Sequence, residues 1–244
     1  MAWYAYCLIE QKAVSVGTRA RRPFPIQGLK GVNGSQVFAF PSGEFAVVVS
    51  EHIGADLTQR AACEHAHVIS ECFRLGTVLP LKFGTVFESD ELLRHAVRAN
   101  RKTFLDSVSQ LRGKAEMHLK VTVKNPVLAH PRDGAADGKA CVEYLTRLRQ
   151  KAIRERDCQA RARSVTMQMH KIFSPLQQDV VCKQVSSGAL TLDIAHLIES
   201  ASIAKYQSRL TAALKHLPDC QIALSGPWPP YHFMPGKVRT VSDN

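Results

Sequence analysis

A chain of 244 residues, 45% apolar and 22% charged, can bury a sizeable core and is not a disordered polyelectrolyte. Lys and Arg number 32 against 21 Asp and Glu, a formal charge of +11, which favours acidic partners and leaves the fold open. Seven scattered cysteines with no C-x-x-C pair argue against a disulfide framework or a zinc ribbon and point to a reducing compartment.

Two further exclusions concern targeting. No apolar stretch approaches the about 20 residues that a membrane-spanning helix needs. The start, MAWYAYCLIEQK, lacks the basic region and small-residue cleavage site of a secretory signal. A cytoplasmic protein is the expectation.

The first half opens with a strand over Trp3 to Ile9. A basic loop with Arg19, Arg21 and Arg22 follows and closes on Pro23 and Pro25. Gln36 to Phe40 and Glu44 to Ser50 are predicted strands of a hairpin, with Pro41, Ser42 and Gly43 between them. The unbroken apolar run Phe45 to Val49 predicts a strand buried on both faces. A helix is predicted from Asp56, which would cap the first turn, with Gln59 at the capping-box position. Its apolar stripe is Leu57, Ala61, Val68, Ile69, Cys72 and Phe73, and Gly76 ends it. Thr77 to Phe87 is extended but interrupted by Pro80 and Gly84. One helix, capped by Ser89, is predicted from Asp90 to Leu111.

The second half begins beyond Gly113. Ala115, Met117, Leu119, Val121 and Val123 alternate with Glu116, His118, Lys120, Thr122 and Lys124, which predicts a strand with one face on a core and one in water. A loop carrying Pro126, Pro131, Gly134 and Gly138 leads to a helix over Cys141 to Phe173, about 50 Å long. Strands over Val180 to Val185 and Leu190 to Ile198 flank a turn at Ser186 to Gly188. A helix over Ser202 to Leu217 presents Ile203, Tyr206, Leu210, Leu214 and Leu217, stops at Pro218, and precedes a last strand, Cys220 to Leu224. The order strand, helix, strand, strand, helix, strand is the ferredoxin-like arrangement. The predicted class is α+β with two domains, 1–112 and a ferredoxin-like 113–235, and a loose tail 236–244.

Enzyme signatures are missing: no P-loop, no G-x-G-x-x-G after a strand, no G-x-S-x-G and no H-E-x-x-H. Cys63 and His67 share a helical face near His65 and Glu71, but two ligands do not make a metal site, and His65 reads as a satisfied core histidine. The expectation is therefore no catalytic residue, no cofactor and no metal. The helix carrying Arg147, Arg149, Lys151, Arg154, Arg156, Arg161 and Arg163 can be a solvated face, a surface for an acidic protein, or a phosphate-tracking surface. Between Tyr144 and Phe173 it lacks the aromatics that stack on bases, which weakens the nucleic-acid reading.

The most specific segment is LSGPWPPYHF, Leu224 to Phe233. Gly226 permits an unusual turn, and Pro227, Pro229 and Pro230 remove donors, so the strand is expected to stop. The stiff segment either packs Trp228 and Tyr231 on its own domain or offers them, with Pro229 and Pro230, as interface anchors.

SGPWPPYHF resembles the signature of the gas vesicle protein L/F family. VLPLKFGTVFES (Val78 to Ser89), LRGKAEMHLKV (Leu111 to Val121) and GLKGVNGSQVFAFPSGEFAVVVS (Gly28 to Ser50) resemble further segments of that family, in the same order. The resemblance implies two α+β domains, the second ferredoxin-like, in a cytosolic protein associated with the gas vesicle. It implies no catalysis and no cofactor. The implied partners are the small hydrophobic shell protein and other accessory gas vesicle proteins. Independently of the resemblance, the expected partner-binding residues are Trp228, Pro229, Pro230 and Tyr231 of the C-terminal motif and Arg154 and Arg161 of the basic helix. The +11 charge and the arginine-rich helix depart from the family pattern.

Overall fold

The computed structural model describes residues 1–11, 22–23, 28–52, 54, 58–123, 140–187 and 189–234. The chain divides into two compact units: Met1–Glu116 with the residues from Pro227 on, and Met117–Gly226. Each combines a sheet with helices, so the class is α+β.

The first unit is built around β1 (Trp3–Glu10). Arg22–Pro23 (β2), Val37–Ser42 (β3) and Phe45–Glu51 (β4) add on one side, and Val78–Pro80 (β5) and Val86–Phe87 (β6) pair with the other edge of β1. Arg22 and Pro23, expected in a loop, thus pair with Ala39 and Phe38. The β3–β4 hairpin turns at Gly43, whose φ of 64° is in the left-handed region. The run Trp3 to Ile9 is buried throughout because helices cover both faces of the sheet. The β1–β4 register shifts between Ala5 and Cys7, and this bulge keeps Tyr4, Tyr6, Cys7 and Ile9 in one core cluster.

One face carries α1 (Gln59–Leu75), whose Ala61, His65, Val68, Ile69 and Cys72 are buried. Its cap is Thr58, which accepts from the Ala61 N–H, and Gln59 is its first helical residue. The expected cap Asp56, and Leu57, lie outside the described residues. His65 bonds the Leu81 carbonyl through Nε2 at 3.2 Å and the Tyr4 hydroxyl through Nδ1 at 3.0 Å. A carbonyl only accepts, so Nε2 carries the proton and Nδ1 accepts from Tyr4. Burial pulls the His65 pKa down, so it sits neutral in the core.

The other face carries two helices where one was expected, α2 (Asp90–Ala99) and α3 (Arg101–Leu111). The break is Asn100, at φ −104° and ψ 9°, whose Nδ2 donates to the Ala96 carbonyl at 2.8 Å. An asparagine amide competes for helix carbonyls and favours ends over interiors. Trp3 donates through Nε1 to Asp90 at 2.7 Å and packs its ring against Phe38 and Phe40.

The second unit contains β7 (Lys114–Val123), which begins in the first unit, then α4 (Ala140–Phe173), β8 (Gln177–Ser187), β9 (Ala189–Glu199), α5 (Ile203–His216) and β10 (Cys220–Trp228). Its strand order is β10-β7-β9-β8, with β8 and β9 antiparallel. The expected loop at 126–138 and the turn residue Gly188 lie outside the described residues. Ala162, Val165, Met169 and Phe173 of α4 repeat at helical spacing onto Met117, Leu119, Leu192 and Ile194. Among the described side chains of α4, those that serve the core lie in its C-terminal half, whereas Tyr144, Leu148 and Ile153 are exposed. On α5, Tyr206 and Ala213 are buried, whereas Leu214, expected on that stripe, is exposed. The stripe drifts because 3.6 residues per turn carries position 214 past the core edge and brings 213 in. Among the described residues no helix is long and apolar enough to cross a membrane.

Candidate functional site

The C-terminal motif begins on an edge strand. β10 continues through Pro227 to Trp228, past Leu224, where the sequence ends the strand. The correction follows from position: β10 is outermost in its sheet, and an edge strand tolerates a residue that cannot donate on its open side. Gly226, inside β10, has a φ of 114°, a backbone conformation that other residues rarely adopt.

Beyond Trp228 the chain folds back. Pro229 and Pro230 are buried, and Tyr231–Phe233 forms a single 3-10 turn, closed by the Phe233 N–H donating to the Pro230 carbonyl at 3.3 Å, while the Tyr231 N–H just before it donates to the Pro229 carbonyl at 2.8 Å. The turn is held by Glu116. One carboxylate oxygen accepts the His232 backbone N–H at 2.9 Å, and the other lies 2.7 Å from His232 Nδ1. Alternation along β7 put Glu116 in water, yet it is only 2% exposed. A buried carboxylate is tolerated when its oxygens are hydrogen-bonded, and both are used here.

This clasp fixes two aromatic residues at the surface. Trp228 is 42% exposed and Tyr231 38% exposed, while the prolines between them face inward. Packing and presentation, the two alternatives for this segment, are divided between residue types: prolines anchor, aromatics remain accessible. Burial, then the nearby Cys7 and Glu116, pushes the Tyr231 hydroxyl up to about 12, so it stays a neutral donor at physiological pH.

The basic helix is organised differently. Arg147, Arg149, Lys151, Arg156 and Arg163 are exposed, and Arg161 pairs with Asp219. The side chain of Arg154 lies outside the described residues. Arg161 therefore ties α4 to the start of β10 and is no freely available cation. On α1, Cys63 and His67 are exposed beside Glu64, but both oxygens of Glu64 are committed, one to the Asn33 N–H at 2.8 Å and one to Arg60 at 2.9 Å.

The model of the family described as gas vesicle synthesis protein GvpL/GvpF matches residues 2–235. The chain belongs to this family. Gas vesicle protein L of Streptomyces sp. (strain CB03234) is 26% identical over 213 residues, covering 80% of this chain and 77% of that protein. The crystal structure of gas vesicle protein GvpF from Anabaena sp. PCC7120 superposes with a TM-score of 0.74 at 18% identity over 97% of both chains. That of GvpF from Microcystis aeruginosa gives 0.71 at 18% identity, over 96% of this chain and 99% of the other. The two crystal structures share the fold; membership of the family, and with it a gas-vesicle-related role, rests on the match over 2–235.

The sequence picks out Trp228, Pro229, Pro230 and Tyr231 as one segment, and in the fold it runs from the end of β10 into the turn at Tyr231–Phe233. Glu116 was missed as its holder. The only signal was a carboxylate in a strand otherwise lined by Ala115, Met117 and Leu119, and nothing local shows that its face is covered.

Proposed function

We propose that this chain is a non-catalytic, cytoplasmic assembly or structural protein of the gas vesicle, which binds the small hydrophobic shell protein and other accessory proteins through Trp228 and Tyr231. The observation that carries the reading is the clasp of Glu116 on His232, which holds two half-exposed aromatics on a proline-anchored turn. Rigid aromatics lose little conformational entropy on binding, so they make strong anchors at an interface. The family membership supports a partner among the gas vesicle proteins, and the shell protein and its accessory proteins are the partners proposed here. We further propose a ferredoxin-like second domain, supported by the strand order β10-β7-β9-β8 over two helices.

The test is a pull-down of the purified chain with the shell protein at moderate salt. The doubly substituted Trp228→Ala, Tyr231→Ala chain is expected to retain at most about one tenth of the shell protein, which corresponds to a loss of about 1.4 kcal/mol. Undiminished retention removes this turn from the interface. A second reading, nucleic-acid binding along α4, is favoured by the exposed Arg147, Arg149, Lys151 and Arg156. It requires RNA capture at low salt that falls steeply as salt rises.

A further inference from the structure

The second unit carries a groove that none of the above uses. It lies between α4 and α5, has a volume of about 550 Å³, and is lined by Gln168, Lys171 and Ile172 on one helix and by Ser208, Arg209, Ala212 and His216 on the other. Ser208, Ala212 and His216 follow one another at four-residue spacing, so they form one stripe along α5. From Ser208 to His216 that stripe is roughly 12 Å long, about two helical turns. Ile172 and Ala212 supply an apolar floor.

The charge is one-sided. Neither residues 158–173 of α4 nor residues 203–216 of α5 contain an Asp or Glu, while Lys171, Lys205, Arg209 and Lys215 all lie within them. At the groove itself the charged side chains are Lys171 and Arg209, with the titratable His216 beside them. Arg209 is held in place because its Nη1 donates to the Ile172 carbonyl at 2.8 Å, which leaves its other N–H groups for a second acceptor. A groove about two turns long, with an apolar floor at Ile172 and Ala212 and a fixed guanidinium on a basic rim, matches one kind of ligand by charge and shape. That ligand is an amphipathic helix with an apolar edge flanked by carboxylates.

We propose that the α4–α5 groove docks an acidic amphipathic helix of a partner protein. The apolar edge sits on Ile172 and Ala212, and flanking carboxylates meet Lys171 and Arg209. This surface is distinct from the Trp228 turn and does not depend on shell binding there.

The test uses a fluorescein-labelled peptide of about 18 residues, with Leu at positions one, four, eight and eleven and Glu beside them, long enough for several turns. Binding is read by fluorescence anisotropy at about 0.15 M salt, where weak long-range attraction is screened. Polyglutamate of equal charge and a short single-stranded RNA are the comparison probes. Saturable binding of the peptide is expected, with affinity at least about tenfold above polyglutamate. Filling the groove with Ser208→Trp, and reversing its rim with Lys171→Glu and His216→Glu, are each expected to weaken the peptide about tenfold or more. All three positions are exposed, so the variants keep the fold, and unchanged thermal unfolding verifies this. Peptide binding no better than polyglutamate overturns the proposal, as does binding untouched by Ser208→Trp. RNA binding lost on charge reversal but insensitive to Ser208→Trp, without peptide binding, replaces it with a phosphate-tracking surface.

Discussion

Glu116 grips His232 twice, through the backbone N–H and through ring Nδ1, across 116 positions of sequence. Both bonds fall on one turn, so the carboxylate fixes the position and the orientation of the segment between Trp228 and Phe233. Replacing Glu116 with Leu removes both bonds and leaves the His232 N–H without its acceptor. The expected cost is about 1–3 kcal/mol. Glu116→Gln, which keeps one acceptor oxygen, is expected to cost less. Urea unfolding measures both, and proteolysis reports the local effect: the Leu variant is cut near Tyr231 faster than the parent chain. Equal cleavage rates in all three proteins show that the clasp does not hold the turn.

A second prediction concerns the approach of two chain segments in the first unit. Tyr6 donates or accepts at Ser50 Oγ at 2.8 Å and accepts the Val32 N–H at 2.8 Å. Gly31 lies directly beneath that hydroxyl, and a Cβ there would collide with it. The hydroxyl is fully buried and locked by two partners, so it cannot swing aside as a surface side chain would. Gly31→Ala is expected to destabilise by about 1–3 kcal/mol. Tyr6→Phe together with Gly31→Ala is expected to recover part of that loss, because the obstructing atom is gone. Strictly additive losses in urea unfolding contradict the steric account.

How far these relationships are legible in the sequence depends on whether the cause is local. The strand at Trp3 to Ile9, the β3–β4 hairpin and the cap at Ser89 follow from periodicity and short-range bonding, and Ser89 accepts from the Leu92 N–H; the hairpin turn itself lies at Gly43 and Glu44, with Pro41 and Ser42 still in β3. Asp56 and Thr58 are both good capping residues, and the sequence does not show which of them precedes the buried stripe that starts at Ala61. Asn100 sits inside an unbroken helical pattern, and its side-chain bond to Ala96 is visible only in three dimensions. Glu116 and Pro227 were misread for a shared reason. Each depends on what lies beside its strand: a C-terminal turn covers the first, and open edge leaves room for the second. The stiffness of the segment around Pro227, Pro229 and Pro230 is legible because prolines constrain the chain locally. Its holder is not, because the contact is formed by residues far apart in sequence.

The pH dependence of the second unit is expected to centre on His196. Its Nδ1 lies 2.6 Å from the Tyr206 hydroxyl, and its ring stacks obliquely against Phe173. Burial first, and the charge of His170 second, lower its pKa from 6.5 to about 4. The Tyr206 hydroxyl, whose pKa burial raises, stays protonated and donates to the neutral imidazole. The folded chain therefore binds fewer protons than the unfolded chain between these two values. Stability is full above the unfolded value and is lost as pH falls through the window toward about 4. At about 1.4 kcal/mol per pH unit, the loss from this group reaches roughly 3 kcal/mol. His65, also lowered by burial, acts in the same direction in the first unit, so the wild type alone cannot isolate the effect. His196→Gln keeps a polar side chain that does not titrate. Urea unfolding at about pH 7 and about pH 4.5 is expected to show a smaller acid-induced loss in the variant than in the parent. Identical losses in the two proteins mean that His196 takes up its proton in the folded state as easily as in the unfolded one.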